Sequence, residues 1–287
     1  LIGGFSFFAS NTLSSMAGID INWLYLAIGG MILIWVLTYF DITVAAAVLG
    51  VTLVAEVLLL LAFGISVLTK GGPDGFMFSE TVSLANAFTG LEANAYGTTV
   101  AAGTAALGIF FAFWSWIGFE TTAAYGEESK DPKRVVPRAT MIAVIGLGLF
   151  YTFVSWMVVV ANGRKATVEV STYSTGNPID LWLIPVTDNL GSLTTSFYRV
   201  LLVIGSFACA LAFHNAASRY VFALGRELPF AGLRNRLSST HPTHQSPAVA
   251  STVVTVLNII MVLLFATFST DWTSDPAVDG ATSDPSL

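Results

Sequence analysis

The sequence predicts an all-α fold, a multi-spanning transmembrane helical bundle. Three observations carry that reading. Hydrophobic residues make up 54% of the 287 positions and charged residues only 10%, whereas a soluble domain carries about 25% charged residues to face water. Long apolar runs recur along the chain, and a hydrocarbon core takes roughly 20 apolar residues per helix. Lysine and arginine gather in alternate connecting segments, as in a chain that threads repeatedly through a bilayer. This composition excludes a soluble enzyme, a disordered chain and a disulfide-built secreted domain. The net charge of −6 disfavours a nucleic-acid partner. Cys209 is the one cysteine, so no intramolecular disulfide can form.

The apolar runs lie at 23–40, 44–68, 97–124, 139–161, 197–224 and 247–268, and residues 1–18 read as part of a further helix. Their length marks them as helices, because outer-membrane strands would alternate over about 10 residues and nothing here alternates. Loops 39–43, 126–138 and 225–246 are expected to be cytoplasmic. The second carries Lys130, Lys133, Arg134 and Arg138, and the third carries Arg226, Arg234 and Arg236. Segments 69–96, 162–196 and 269–287 then fall outside, where Asp74, Glu80, Glu92, Glu169, Asp180 and Asp188 collect. Apolar pieces within them, Phe76–Phe78 and Leu181–Ile184, read as short interfacial helices with Trp182 at headgroup depth. Residue 1 already lies in an apolar run and there is no initiator Met. The expectation is a single transmembrane domain over 1–287 that is a fragment of a longer, multi-pass protein of the cell membrane.

Run 97–124 carries the chemistry. Tyr96 to Tyr125 is about 30 residues, or about 45 Å as one straight helix, well beyond a core of about 30 Å. Its centre reads Phe111-Ala112-Phe113-Trp114-Ser115-Trp116-Ile117-Gly118-Phe119-Glu120. Gly118 weakens a helix locally. Ser115 can bond a freed backbone group, and Glu120 is a carboxylate where charge costs at least about 2.5–3.5 kcal/mol. Two readings stay open on these residues alone. One is a discontinuous helix whose released backbone groups bind a zwitterion or ion. The other is a continuous helix that packs its aromatics and bonds Glu120 to a neighbour.

Residues 110–140, FFAFWSWIGFETTAAYGEESKDPKRVVPRAT, closely resemble the sixth helix and following cytoplasmic loop of the APC (amino acid–polyamine–organocation) superfamily permeases. The shared elements are the aromatic run, Gly118-Phe119-Glu120, the pair Glu127-Glu128, then Pro132-Lys133-Arg134 and Pro137-Arg138-Ala139. A second resemblance covers 212–250, where AFHNAASRYVFALGRELPF and HPTHQSPAVA are similar to the family's eighth helix and the start of its ninth. The resemblance implies a LeuT-type fold of two inverted five-helix repeats, here a part of it from late in the third helix to the end of the ninth. In that fold substrate lies at mid-membrane between unwound parts of the first and sixth helices. The first two helices would precede this chain, so the chain alone is not expected to transport.

The resemblance also assigns roles. Trp114 matches an aromatic gate over bound substrate. Ser115, Trp116, Ile117 and Gly118 match the unwound stretch whose carbonyls accept bonds from a substrate ammonium. Glu120 matches an acidic network position on the inner half of the broken helix. On the family's eighth helix Tyr220 matches an inner-vestibule position, and His214 and Asn215 are polar residues in an apolar run. His214 suits proton coupling, against the plainer reading of a neutral histidine bonded to a neighbouring helix. Sodium-coupled relatives carry hydroxyl residues on this helix, but its middle reads Ala208-Cys209-Ala210-Leu211-Ala212. Some proton-coupled relatives carry a lysine on the fifth helix, where this chain has Glu56. Proton coupling is therefore expected over sodium, with Glu56 either a titrating site or a structural carboxyl.

The expected function is secondary active transport of amino acids or related amines by alternating access, as proton-coupled symport or exchange. A neutral amino acid is the expected substrate, because no acidic pocket residue beyond Glu120 points to a cation. No cofactor is expected, and no ATP-binding loop of the G-x-x-x-x-G-K-[ST] type is present. His241 and His244 are three apart, but Pro242 and the lack of a third ligand argue against a metal. Gly146 and Gly148 are expected to allow close helix packing. The alternatives are a channel or non-transporting scaffold, for which no repeated pore motif appears, and a membrane-embedded enzyme using Glu120, His214 and Glu56.

Overall fold

A computed structural model of the chain describes residues 1–40, 42–78, 109–110, 112–119, 131–163, 166–167, 179–241 and 246–268. Among the described residues the regular structure is all helical. In chain order the helices are α1 (Ile2–Ala17), α2 (Trp23–Phe40), α3 (Ile42–Lys70), α4 (Pro132–Asn162), α5 (Asp180–Leu190), α6 (Ser192–Glu227), α7 (Ala231–Leu237) and α8 (Ala248–Phe268). Gly50–Lys70 of α3 together with α4, α6 and α8 are long and apolar enough to cross a membrane, and α2 is apolar over the shorter span Trp23–Tyr39.

Local chemistry sets the helix ends. α1 stops at Gly18, whose left-handed backbone lets its N–H and that of Ile19 reach the carbonyls of Ser14 and Leu13. α4 begins at Pro132, ahead of the apolar run at 139, because a proline at the first helical position gives up an N–H that has no helical partner anyway. The Arg134 and Val135 N–H groups bond the Asp131 carbonyl at 3.1 and 2.9 Å. Hydropathy alone does not see this basic first turn. The apolar piece expected at 181–184 is part of α5.

The chain divides into two compact units, with the boundary inside α3. The first holds Leu1–Leu59 and Ser192–Leu287. In it α6 packs against α1, α2, α7 and α8, and α2 also packs against α1 and α8. Ile34, Ala210 and Leu211 form a buried cluster joined by Ile2, Leu37 and Phe207. Phe5 meets Phe207 edge-on at 5.5 Å, and the Arg199 guanidinium donates to Asn11 Oδ1 at 2.8 Å.

The second unit is Leu60–Gly191. Here α5 packs on α4, and its buried residues Leu183 and Val186 share a face with Ile179 at helical spacing. Asn162 Nδ2 on α4 donates to the Leu181 carbonyl at 2.9 Å. At the other end of α5 the Asn189 carbonyl accepts from Lys70 Nζ at 3.0 Å, and Asn189 Oδ1 accepts from Ser66 Oγ at 3.3 Å. The Trp156 indole N–H donates to the Phe76 carbonyl at 2.8 Å, and its ring contacts Phe76 and Phe78. Trp182 is half-buried.

Candidate functional site

The stretch at 109–119 starts as a helix and does not stay one. Ile109–Phe110 and Ala112–Trp114 are helical, and Ser115–Phe119 are turns. The Trp116 N–H bonds the Phe113 carbonyl at 3.0 Å, Ile117 bonds Trp114 at 3.1 Å and Phe119 bonds Trp116 at 3.4 Å. These bonds step back three residues, the tighter spacing that marks the end of an α-helix. Gly118 has φ +114°, a conformation that glycine adopts freely and L side chains avoid. The backbone therefore leaves the α path within the residues where the sequence places a break.

Around this turn Trp114 is 56% exposed, with its ring 6.1 Å from that of Phe110. Ser115 and Ile117 are exposed, while Trp116 and Gly118 are half-buried. The Trp116 indole packs on α4 at Gly148, where a Cβ would come within 2.8 Å of Cη2. Gly148 thus has the packing role expected of it, and nothing lies within 4 Å of a Cβ built at Gly146. Trp116 spends its ring on α4, so Trp114 is the open aromatic of the pair. Glu120, Glu127, Glu128 and the rest of 97–124 lie outside the described residues.

The remaining candidates belong to the first unit. On α3 the Glu56 carboxylate lies against the backbone of Gly205 on α6, where any Cβ would overlap it. Only glycine leaves room for this contact. Glu56 Oε1 is buried with no hydrogen-bond partner among the described residues, so the interhelical bond of a purely structural carboxyl is absent at that oxygen. His214, on the same helix as Gly205, is 4% exposed. The two positions are about 13 Å apart along the helix, so Glu56 and His214 occupy separate environments. Asn215 is half-buried and Tyr220 is exposed.

His214 ends a chain of hydrogen bonds through three helices. Its Nε2 lies 3.0 Å from Ser251 Oγ on α8, which lies 2.9 Å from Thr38 Oγ1 on α2. Thr38 Oγ1 donates to the Trp35 carbonyl at 2.9 Å. A hydroxyl has one hydrogen to donate. With the Thr38 hydrogen on Trp35, Ser251 must donate to Thr38 and accept from His214. A hydrogen then sits on Nε2, and Nδ1 is buried without a partner among the described residues. Beside this chain, Trp35 Nε1 donates to Thr252 Oγ1 at 3.0 Å and Ser246 Oγ donates to the Tyr39 carbonyl at 3.1 Å.

His241 meets the Tyr39 ring edge-on at 5.2 Å, and its backbone N–H bonds the Ser246 carbonyl at 2.8 Å. His244 lies outside the described residues. Among the described residues no group of three His, Cys, Asp or Glu side chains could hold a metal.

The amino acid permease family model matches residues 1–278. The chain belongs to the amino acid permease family. It is therefore a membrane protein and not an enzyme, in keeping with the four membrane-length apolar helices among the described residues. This permease chain is similar to the serine/threonine exchanger SteT of Bacillus subtilis (strain 168), 26% identical over 164 residues, which is 56% of this chain and 34% of that protein. It is similar to the branched-chain amino acid permease BcaP of the same organism, 27% identical over 150 residues, 52% of this chain and 29% of that one. Amino-acid permease 2 of Neurospora crassa is 30% identical over 159 residues, 55% of this chain and 28% of that one. The chain spans about a third of the length of the curated relatives it matches.

Sequence reasoning passed over Thr38, Ser251 and Gly205. A signal for the first two was present: hydroxyl residues inside the apolar runs 23–40 and 247–268 need a partner in a bilayer. Nothing in the sequence pairs Gly205 with Glu56.

Proposed function

We propose that the gene product carrying this chain is a secondary active transporter of amino acids or related amines, working by alternating access in the cell membrane. The departure from α-helical bonding at Ser115–Phe119, inside an amino acid permease sequence, carries this reading. A broken helix at membrane depth is tolerated where its backbone lines a cavity or meets a ligand. Exposed Trp114 supplies an aromatic face to close over a bound molecule. Ser115, Ile117 and Gly118 line the turn, Trp116 fixes it against α4, and the backbone carbonyls receive the substrate ammonium. The LeuT-type inverted repeat remains part of the proposal, resting on the resemblance of residues 110–140 and 212–250.

Coupling is to protons, by symport or exchange, rather than to sodium. Glu56 Oε1 is a buried atom able to take a proton, without a hydrogen-bond partner among the described residues. The middle of α6, Ala208–Ala212, offers no hydroxyl to a sodium ion. Glu120, Asn215 and Tyr220 complete the proposed network. A neutral amino acid is the proposed substrate, and the names of the serine/threonine exchanger and the branched-chain permease support that choice.

The test is uptake of a panel of labelled amino acids and amines into proteoliposomes bearing the complete gene product, with pH and sodium gradients imposed separately. The expected result is saturable accumulation of a neutral amino acid driven by an inward proton gradient and indifferent to sodium. Sodium-driven accumulation would overturn the coupling assignment. Absence of any amino acid flux, with ion conductance instead, would favour a channel.

A further inference from the structure

We propose that α7 and the turn before it form a binding site for the headgroup of an anionic phospholipid, at the membrane surface between the ends of α6 and α8. Two groups of observations place the site. The first fixes the position of α7. It packs against both α6 and α8, two helices of membrane-crossing length. Leu237 at its end seats over Gly225 of α6, where a Cβ would come within 2.7 Å of Leu237 Cβ.

The second group is what that leaves outside. Phe230 is 70% exposed and Leu233 is 50% exposed. Arg234 and Arg236 are exposed beside them, and neither guanidinium has an acidic partner among the described residues. Arg226, also exposed, lies with its guanidinium 4.6 Å from the centroid of the Phe222 ring. Glu227 is the one acid between residues 225 and 246, so the surface is basic. A phenylalanine, a leucine and exposed arginines where two spanning helices leave the bilayer match one occupant. Acyl chains take Phe230 and Leu233, and the phosphate of an anionic headgroup meets the arginines, whose stems lie along the apolar boundary.

Each arginine near a negatively charged surface adds about 1 kcal/mol, or roughly fivefold in local anionic lipid. The test places an indole at the site by Phe230→Trp in the full-length protein in nanodiscs. The difference from the parent protein isolates its fluorescence from that of the native tryptophans. Brominated phosphatidylglycerol and brominated phosphatidylcholine are supplied at equal mole fraction as quenchers. The expected result is quenching by both lipids, at several-fold lower mole fraction for phosphatidylglycerol. Arg234→Gln with Arg236→Gln should remove that preference and leave the phosphatidylcholine quenching in place. Both arginines are exposed, so these variants keep the fold. Equal quenching by the two lipids in the arginine-bearing protein would overturn the proposal. So would a preference that survives both substitutions, or an indole that no brominated lipid reaches and aqueous iodide quenches.

Discussion

Two stretches of this chain put polar groups into apolar helices, and they do so in opposite ways. In α6 the backbone runs unbroken from Ser192 to Glu227, and the polar group is a side chain. His214 is matched by Ser251 and, through it, by Thr38, so one hydrogen-bond chain ties α2, α6 and α8. Between Ala112 and Phe119 the backbone itself gives way, with turns from Ser115 onward and a glycine at φ +114°. In the bilayer that α6 is long and apolar enough to cross, His214 must find its partners in protein. Side-chain pairing consumes its partners internally and makes a scaffold. A broken backbone presents hydrogen-bonding groups outside the α ladder, which is the form a binding site takes. Polarity in a spanning helix therefore does not itself identify a transport site; the proposal rests instead on the departure of the backbone from α-helical bonding.

Gly118→Leu is the severest challenge to that contrast. Leucine at φ +114° costs about 1–3 kcal/mol, so the turn must shift. Uptake by the complete gene product should fall about tenfold to a hundredfold while surface expression, read by biotinylation, is kept. Parental uptake would show that the turn is not part of the site. Trp114→Ala removes the exposed aromatic and leaves the packing of Trp116 on Gly148. About tenfold lower uptake is expected, with expression again unchanged, and unaltered kinetics would remove Trp114 from the site.

The scaffold half of the comparison predicts losses of stability rather than of transport. Ser251→Ala strips partners from both His214 and Thr38. Interhelical bonds of this kind average about 0.6 kcal/mol and reach about 1.7. Two of them should lower the apparent melting temperature by a few degrees, measured by size-exclusion chromatography after heating, with uptake retained. Abolished uptake in a fully stable Ser251→Ala protein would move this chain from scaffold to site. Thr38→Val has the smallest expected effect, the loss of a single interhelical bond of about 0.6 kcal/mol together with the local bond to the Trp35 carbonyl in its own helix. Its shift should be less than that of Ser251→Ala, and a larger one would contradict the place of Ser251 as the link between His214 and Thr38.

The legible and the illegible parts of this molecule divide by sequence distance. Helix positions were readable because a bilayer demands length and apolarity locally. The break at Ser115–Phe119 was readable as one of two possibilities, since glycine, serine and excess length sit in one run. The start of α4 at Pro132 was not, because its first turn is basic and hydropathy sees only the apolar part. The Thr38–Ser251 pair spans 213 residues and His214–Ser251 spans 37, and no local pattern encodes such pairings. The contact of Glu56 with Gly205 likewise exists only once α3 and α6 are packed. Trp116 could not be told from Trp114 as packing residue or open face until Gly148 was seen opposite it.

The most direct measurement of the central claim is substrate protection at the turn. Ser115→Cys is introduced into the full-length protein after Cys209 and any other native cysteines are replaced by serine. The rate of its modification by a small polar thiol reagent is then followed in proteoliposomes. A transported neutral amino acid at saturating concentration should slow modification several-fold, while an amine that is not taken up should leave it unchanged. Modification at the same rate with and without saturating substrate would contradict the assignment of the Ser115–Phe119 break as the place where substrate binds.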